Sequence, residues 1–166
     1  MASMENAMEA YTGESEANRK YLAFADQAES EGYKNIARLF RAASDAEAVH
    51  AKKLLKAMGR VKSTKENVQG SISGETHEYT SMYPGFLKEA EDEKKTDFAL
   101  VFTYAMKAEE VHAGLYKEAL NALNNKMDMS NRTVWLCPVC GNIFLGQAPE
   151  KCPICKAVRK VFREVS

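Results

Sequence analysis

The chain has 166 residues, 45% of them hydrophobic and 28% charged, with 23 basic and 23 acidic side chains. This length accommodates one ordinary domain, or one domain and a small module, and the zero net charge argues against a nucleic-acid binder, which would show a basic excess. No apolar run approaches the roughly 18 residues that span a bilayer, and the opening Met1-Ala2-Ser3-Met4-Glu5-Asn6 has no basic or apolar targeting region, so the expected location is cytoplasmic.

Residues 4–30 read as a helix, with Tyr21, Leu22, Phe24, Ala25 and Ala28 at three-to-four spacing and Gly32 as the stop signal. A second helix, from about Asn35 to Met58, has an apolar stripe through Ile36, Leu39, Phe40, Ala43, Ala46, Val49 and Leu54, and Gly59 ends it. Residues 59–74 contain Gly59, Gly70, Gly74 and several Ser and Thr, and read as a connection. Within it Ser63-Thr64-Lys65-Glu66 has the form of a capping box, which would make part of the segment helical. A third helix covers about 75–94, with Pro84 predicting a kink or irregular turn. Thr96 is the expected N-cap of a fourth helix over about 97–124.

The character changes after Asn124. The division expected is a helical domain over 1–126, a linker over 127–131 and a module over 132–166 with short apolar runs, Pro, Gly and all four cysteines. Such a module is too small to be stable on its core alone, and a bound metal would supply what is missing. The fold class expected is mainly α with a small β-rich C-terminal domain.

The chain repeats itself at a shift of 62 residues. Tyr21 falls on Tyr83, Ala28 on Ala90, Glu29 on Glu91, Phe40 on Phe102, and Ala46-Glu47-Ala48-Val49-His50 on Ala108-Glu109-Glu110-Val111-His112. Gly13-Glu14-Ser15 matches Gly74-Glu75-Thr76 only at a shift of 61, so one extra residue has entered the third helix between Gly74 and Tyr83. A π-bulge, a feature often found at functional sites, would absorb it.

Glu47 and His50 lie three apart, on one helix face, and so do Glu109 and His112. The other two helices offer Glu14 and the pair Glu75 and Glu78. Di-iron and di-manganese carboxylate bundles have this pattern, with two helices giving Glu-x-x-His and two giving Glu. Surface ion pairs are the bland alternative, but the Glu-His pairs fall among the apolar stripe residues Ala46, Val49 and Val111, where unpaired carboxylates are costly. His77 has no partner at useful spacing and reads as a non-ligand. Tyr21 and Tyr83 are either core aromatics or hydrogen-bond partners of the metal-binding carboxylates.

Cys137-Pro-Val-Cys140 and Cys152-Pro-Ile-Cys155 form two Cys-x-x-Cys turns, a strong signal for a tetrahedral thiolate site that chemistry alone would fill with zinc or iron. Clustered cysteines in a chain with no mark of secretion point away from a disulfide framework, and no βαβ context supports a thioredoxin-like pair.

In combination Gly13-Glu14-Ser15, Glu47-x-x-His50, Glu75-x-x-Glu78, Tyr83-Pro84, Glu109-x-x-His112 and the module from Trp135 to Phe162 resemble the rubrerythrin family, a ferritin-like di-iron four-helix bundle fused to a rubredoxin-like domain. The resemblance covers essentially the whole chain. It implies that Glu14, Glu47, Glu75, Glu78, Glu109 and His112 hold two non-haem irons, with Glu47 and Glu109 bridging. It also implies that one iron shifts between Glu78 and His50 with redox state, that Tyr21 and Tyr83 stand behind the ligands, and that Cys137, Cys140, Cys152 and Cys155 hold a third iron, for which zinc can substitute in recombinant material. The activity implied is a hydrogen peroxide reductase of oxidative stress defence, supplied with electrons through the cysteine iron by rubredoxin or an NAD(P)H-dependent reductase, without nucleic-acid or membrane partners. A head-to-tail homodimer, with one subunit's cysteine centre beside the other's di-iron site, is the expected assembly, and helix exchange or higher order is compatible with the 59–74 connection. Its roughly 15 residues would also span about 50 Å, enough for the single long crossover of a ferritin-like bundle. The readings from other classes are a ferroxidase or iron-storage protein and a structural zinc protein.

Overall fold

The computed structural model describes residues 2–165. They divide into two compact units, one up to Lys62 and one from Ser63 onward, and each is described by itself.

The first unit is a helical hairpin. Helices α1 (Ala2–Ser30) and α2 (Lys34–Ala57) are joined by a tight turn. Gly32, at φ +87°, makes that turn, with its N–H on Glu29 O at 3.0 Å and the Tyr33 N–H on Ala28 O at 2.8 Å. Small residues, Ala25, Ala28, Ala37 and Ala51, are buried between the helices. Asn18 and Ser44 are buried too, and satisfy one another: Asn18 Nδ2 donates to Ser44 O and Oγ, each at 2.8 Å, and Ser44 Oγ donates to Asn18 O at 2.9 Å.

The second unit begins with the capping box expected at Ser63 and Glu66, both halves of which are present. It opens helix α3 (Thr64–His77), so the connection expected over 59–74 shrinks to Met58–Ser63 and most of that segment is helix. α3 runs into a π-helical turn, Glu78–Met82, and then into α4 (Tyr83–Asp92). The π-turn lies where the one-residue insertion was inferred. An extra residue would rotate everything beyond it by about 100° on an α-helix, and a wider turn restores the facing of the residues on either side. Pro84 sits in the first turn of α4, where its missing N–H costs nothing. Helix α5 (Thr96–Asn124) packs on α3 and α4. Lys95, not Thr96, is its N-cap, and no side chain bonds there.

The end of α4 repeats the end of α1 with a different residue. Lys94 stands where Gly32 stands in the first repeat, at φ +59°, with the same pair of bonds: Lys94 N–H to Glu91 O at 3.0 Å and Lys95 N–H to Ala90 O at 2.8 Å. A left-handed lysine is strained where glycine is not. Lys94→Gly is therefore expected to stabilise the fold by about 0.5 kcal/mol, the released strain being partly offset by glycine's unfolded-state entropy. Thermal denaturation checks it, and a lowered midpoint contradicts it.

The tail forms a three-stranded antiparallel sheet in the order β2-β1-β3, with β1 Val134–Leu136, β2 Ile143–Leu145 and β3 Arg163–Val165. Its core is Cys137, Cys140, Cys152, Ala148 and Phe162, with Trp135 and Phe144 packed against it and Tyr104 reaching in from α5. Phe144 stacks on Phe162 at 5.1 Å, and Trp135 Nε1 donates to Gly146 O at 3.0 Å. No helix is long and apolar enough to cross a membrane among the described residues.

Candidate metal centres

Three side-chain groups have the composition and spacing to hold metal ions among the described residues: Glu14, Glu47 and His50; Glu75, Glu109 and His112; and the four cysteines. In each group the donor atoms lie within 4.8 Å of one another.

The first two groups are copies. In α2, His50 Nδ1 is 2.9 Å from Glu47 Oε2 and 3.5 Å from Glu14 Oε1 of α1. In α5, His112 Nδ1 is 2.7 Å from Glu109 Oε2 and 3.7 Å from Glu75 Oε2 of α3. The rings behind them repeat as well. Tyr21, Phe24 and Phe40 pack with centroids 5.6–6.4 Å apart, and Tyr83, Phe86 and Phe102 with centroids 5.7–6.3 Å apart. The Glu-x-x-His spacing thus does what helix geometry requires, and the neighbouring helix adds one carboxylate to each pair.

The electrostatics of the second group fit a cation. Burial, then hydrogen bonding to Glu109 and the charges of Glu109 and Glu78, pushes Glu75 up to about 8. Its Oε2 is buried with no hydrogen-bond partner. Across the imidazole, His112 Nε2 lies 3.0 Å from Gly141 O. A carbonyl only accepts, so that nitrogen carries the proton, and in the neutral ring Nδ1 turns a lone pair toward the Glu109 carboxylate. Two acceptors facing each other call for a positive charge between them, and a metal-binding histidine commonly donates its other N–H to a backbone carbonyl in this way. In the first group the adjacent Glu47 carboxylate raises Glu14 above the ordinary carboxylate value.

A stability consequence follows for metal-free protein. Glu75 keeps its proton to about pH 8 when folded and to about 4.5 when unfolded. Between those values the folded state binds more protons, so stability falls as pH rises. The metal-free midpoint is expected to drop by roughly 5 °C from pH 5.5 to pH 8, and Glu75→Gln should flatten the slope. An unchanged slope in that variant contradicts the assignment.

Glu78 sits on the π-turn, outside the group of Glu75, Glu109 and His112, but close enough for burial and the Glu109 charge to raise its pKa. Burial and the carboxylates Glu109, Glu78 and Glu75 likewise hold Tyr83 above the ordinary phenol value, so it stays protonated beside the site. His77 belongs to none of the three groups.

In the cysteine centre, Cys137 Sγ is 3.5 Å from Cys155 Sγ, and Cys140 Sγ is 3.5 Å from Cys152 Sγ. Thiolates at about 2.3 Å from a tetrahedral ion lie roughly 3.8 Å apart, so the cage is close to metal-binding size. Burial opposes ionisation of Cys152, but N–H groups of Cys155 and Ile154 and the thiols of Cys140 and Cys155 outweigh it and hold that thiol at about 7. The residue after each Cys-x-x-Cys, Gly141 at φ +79° and Lys156 at φ +65°, bends the chain. The Gly141 N–H bonds Cys137 O at 2.9 Å, and Asn142 supplies the backbone bond to Cys140.

The sequence carried no signal for the His112–Gly141 bond. It places the Cys140 turn against His112 of the same chain.

Two repeated carboxylate-histidine groups on helices and a four-cysteine cage on a small sheet define a di-iron carboxylate protein with an appended rubredoxin-like centre. Residues 5–120 match the rubrerythrin family model and residues 135–163 that of the rubrerythrin rubredoxin-like domain. Rubrerythrin-2 of Clostridium acetobutylicum is 35% identical, over 97% of this chain and 98% of the relative. Nigerythrin of Nitratidesulfovibrio vulgaris is 36% identical over 97% of this chain and 85% of its own. The solved fully reduced, all-ferrous nigerythrin superposes with a TM-score of 0.59 at 34% identity, covering 98% of this chain and 86% of that one. The chain belongs to the rubrerythrin family. Its fold class is a ferritin-like four-helix bundle with a small rubredoxin-like domain, and its cofactors are a pair of non-haem irons and one iron on the four cysteines.

Proposed function

We propose that this chain is a peroxidase that reduces hydrogen peroxide to water in oxidative stress defence, as the resemblance implied. The repeated carboxylate-histidine groups support this reading most, because they offer a cation pair symmetric donors. When bound, the iron pair supplies the two electrons that cleave the O–O bond.

The chain's own residues do the rest. Glu14, Glu47, Glu75, Glu78, Glu109, His50 and His112 would hold the pair, with Glu47 and Glu109 as the carboxylates the two ions would share. Glu78 is suited to move, since it stands on the π-turn and outside the group formed by its neighbours. Tyr83 keeps its proton and can donate to a ligating oxygen, and Tyr21 is its counterpart in the first repeat. Cys137, Cys140, Cys152 and Cys155 hold the third iron. The His112 Nε2–H bond to Gly141 O joins the two centres within one chain, a short bonded route for electrons from rubredoxin or an NAD(P)H-dependent reductase. The helical domain over 1–126 carries the chemistry, the module over 132–166 carries the electrons, and the working assembly is a homodimer.

The test is an anaerobic visible spectrum of the reduced protein before and after one equivalent of hydrogen peroxide. It should start nearly colourless and turn red within mixing time, as oxidising equivalents reach the cysteine iron. A fully iron-loaded sample that stays colourless rejects the reading.

A further inference from the structure

The cysteine module is charged unlike the rest of the chain. Residues 132–166 carry six basic and two acidic side chains, and since the whole chain is neutral the helices hold a matching acidic excess. Glu118 pairs with Arg132, and Glu150 with Arg159. Lys151, Lys156, Lys160 and Arg163 are left exposed, outside any ion pair among the described residues.

Two of these lysines stand where the two cysteine turns differ. Both turns are closed in the same way. In the first, the Cys137 N–H bonds Asn142 O and the Gly141 N–H bonds Cys137 O; in the second, the Cys152 N–H bonds Ala157 O and the Lys156 N–H bonds Cys152 O. An antiparallel pair flanks each turn, Leu136 with Ile143 and Lys151 with Val158. Lys151 thus takes the place of Leu136, and Lys156 the place of Gly141. At φ +65° Lys156 is held in a left-handed conformation that suits glycine and strains a lysine. Its Nζ donates to Pro153 O at 2.8 Å, which sets the cation over the second turn.

The turns also have different neighbours. The first gives Gly141 O to His112 of α5. The bonds of the second stay within the module, and its Cys155 is the one cysteine of the four that is not buried. Pro153 and Lys156 are exposed, and Val158 is 40% exposed. An apolar tip beside a metal ligand, bracketed by two lysines, suits a transient acidic partner. Apolar contact brings two redox centres close, and opposite charge speeds and orients the encounter.

We propose that the second turn, Cys152–Cys155 with Lys151 and Lys156, is the entry port for electrons, and that it docks a small one-electron carrier with an acidic surface. The carrier loses one electron and the ferric cysteine iron gains it; no bond forms or breaks. The inference rests on the reading of this module as the electron relay.

Stopped-flow reduction of the red, iron-loaded protein tests it without peroxide. The probe is a reduced flavodoxin, an acidic one-electron carrier, and the loss of red colour gives the rate. The second-order rate constant should fall by about 10-fold or more between low and physiological salt. Lys151→Glu with Lys156→Glu should lower the low-salt constant by about 100-fold and remove most of the salt dependence. Lys160→Glu with Arg163→Glu changes the net charge equally away from the turn and should cost only about 3-fold. Lys156→Gly covers a failure to fold, since it relieves the left-handed strain while removing the cation, and should cost about 5-fold. Midpoint potentials of all variants are titrated alongside. No reduction by the carrier, equal losses in both double variants, or losses that the potentials account for in full each overturn the port. So does an unchanged rate in Lys151→Glu with Lys156→Glu accompanied by loss of the dimer in light scattering, which would assign the lysines to a second copy. The peroxidase reading stands or falls separately, on whether the reduced protein turns red with peroxide.

Discussion

Glu47→Ala is expected to abolish peroxide reduction, lowering turnover by at least about 10³-fold, while the red colour of the oxidised cysteine iron survives. That loss corresponds to roughly 4 kcal/mol of transition-state stabilisation. Glu47 is the residue on which its half-site converges, 2.9 Å from the His50 ring nitrogen and grouped with Glu14. Alanine removes a carboxylate of the group and leaves His50 with no orienting partner on its own helix, so both donor number and geometry fail. Independence of the colour follows from the module's own construction: its two turns are closed by local bonds, Cys137 N–H to Asn142 O and Cys152 N–H to Ala157 O, each 2.8 Å. Retained peroxidase activity in Glu47→Ala would sink the di-iron assignment. Loss of the red colour as well would show that the substitution acts on folding rather than on the site.

Cys152→Ser should separate electron supply from peroxide chemistry. Cys152 is fully buried, 3.5 Å from Cys140 Sγ, and its thiol, held at about 7, ionises at neutral pH. A serine hydroxyl does not ionise there and is a hard oxygen donor where iron has soft thiolates. The metal should be lost, and with it the order of a module whose core consists largely of its own ligands. Steady-state turnover with a reductase is expected to fall by about 100-fold or more, by analogy with the loss of other metal-site groups. The helices should persist by far-ultraviolet circular dichroism, and chemically reduced protein should still consume one equivalent of peroxide in a single turnover. Undiminished steady-state turnover would mean that electrons bypass the cysteine centre.

Much of this molecule could be read from local signals. Helix stops at Gly32 and Gly59, the Ser63–Glu66 capping box, and the apolar stripes of α1 and α2 depend on residues a few positions apart. A chain at that range has few conformations to choose among. The repeat added a longer-range constraint, since a one-residue slip between Glu75 and Tyr83 had to be absorbed somewhere on a helix whose two ends keep their facing, and the π-turn at Glu78–Met82 absorbs it. The donor residues followed from spacing, because Glu and His three apart on a helix cannot avoid one another.

Other features had no local cause. Gly70 and Gly74 argued for a loop, but glycine's penalty in a helix is about 1 kcal/mol, and a firm cap with packing against α5 outweighs it. The left-handed Lys94 carries no glycine signal, and the bonds that close the turn hold it there. The contact between His112 and Gly141, 29 residues apart, arises from the seating of one element on another, which neither propensity nor periodicity encodes. Shortening of the connection to Met58–Ser63 likewise emerged only once α3 took its full length. Composition and spacing therefore placed the candidate donors and most of the helices, and membership of the family added iron. Tertiary structure decided how the centres are joined and how far the chain between the hairpins can reach, because packing selects among contacts that the local sequence leaves equally open.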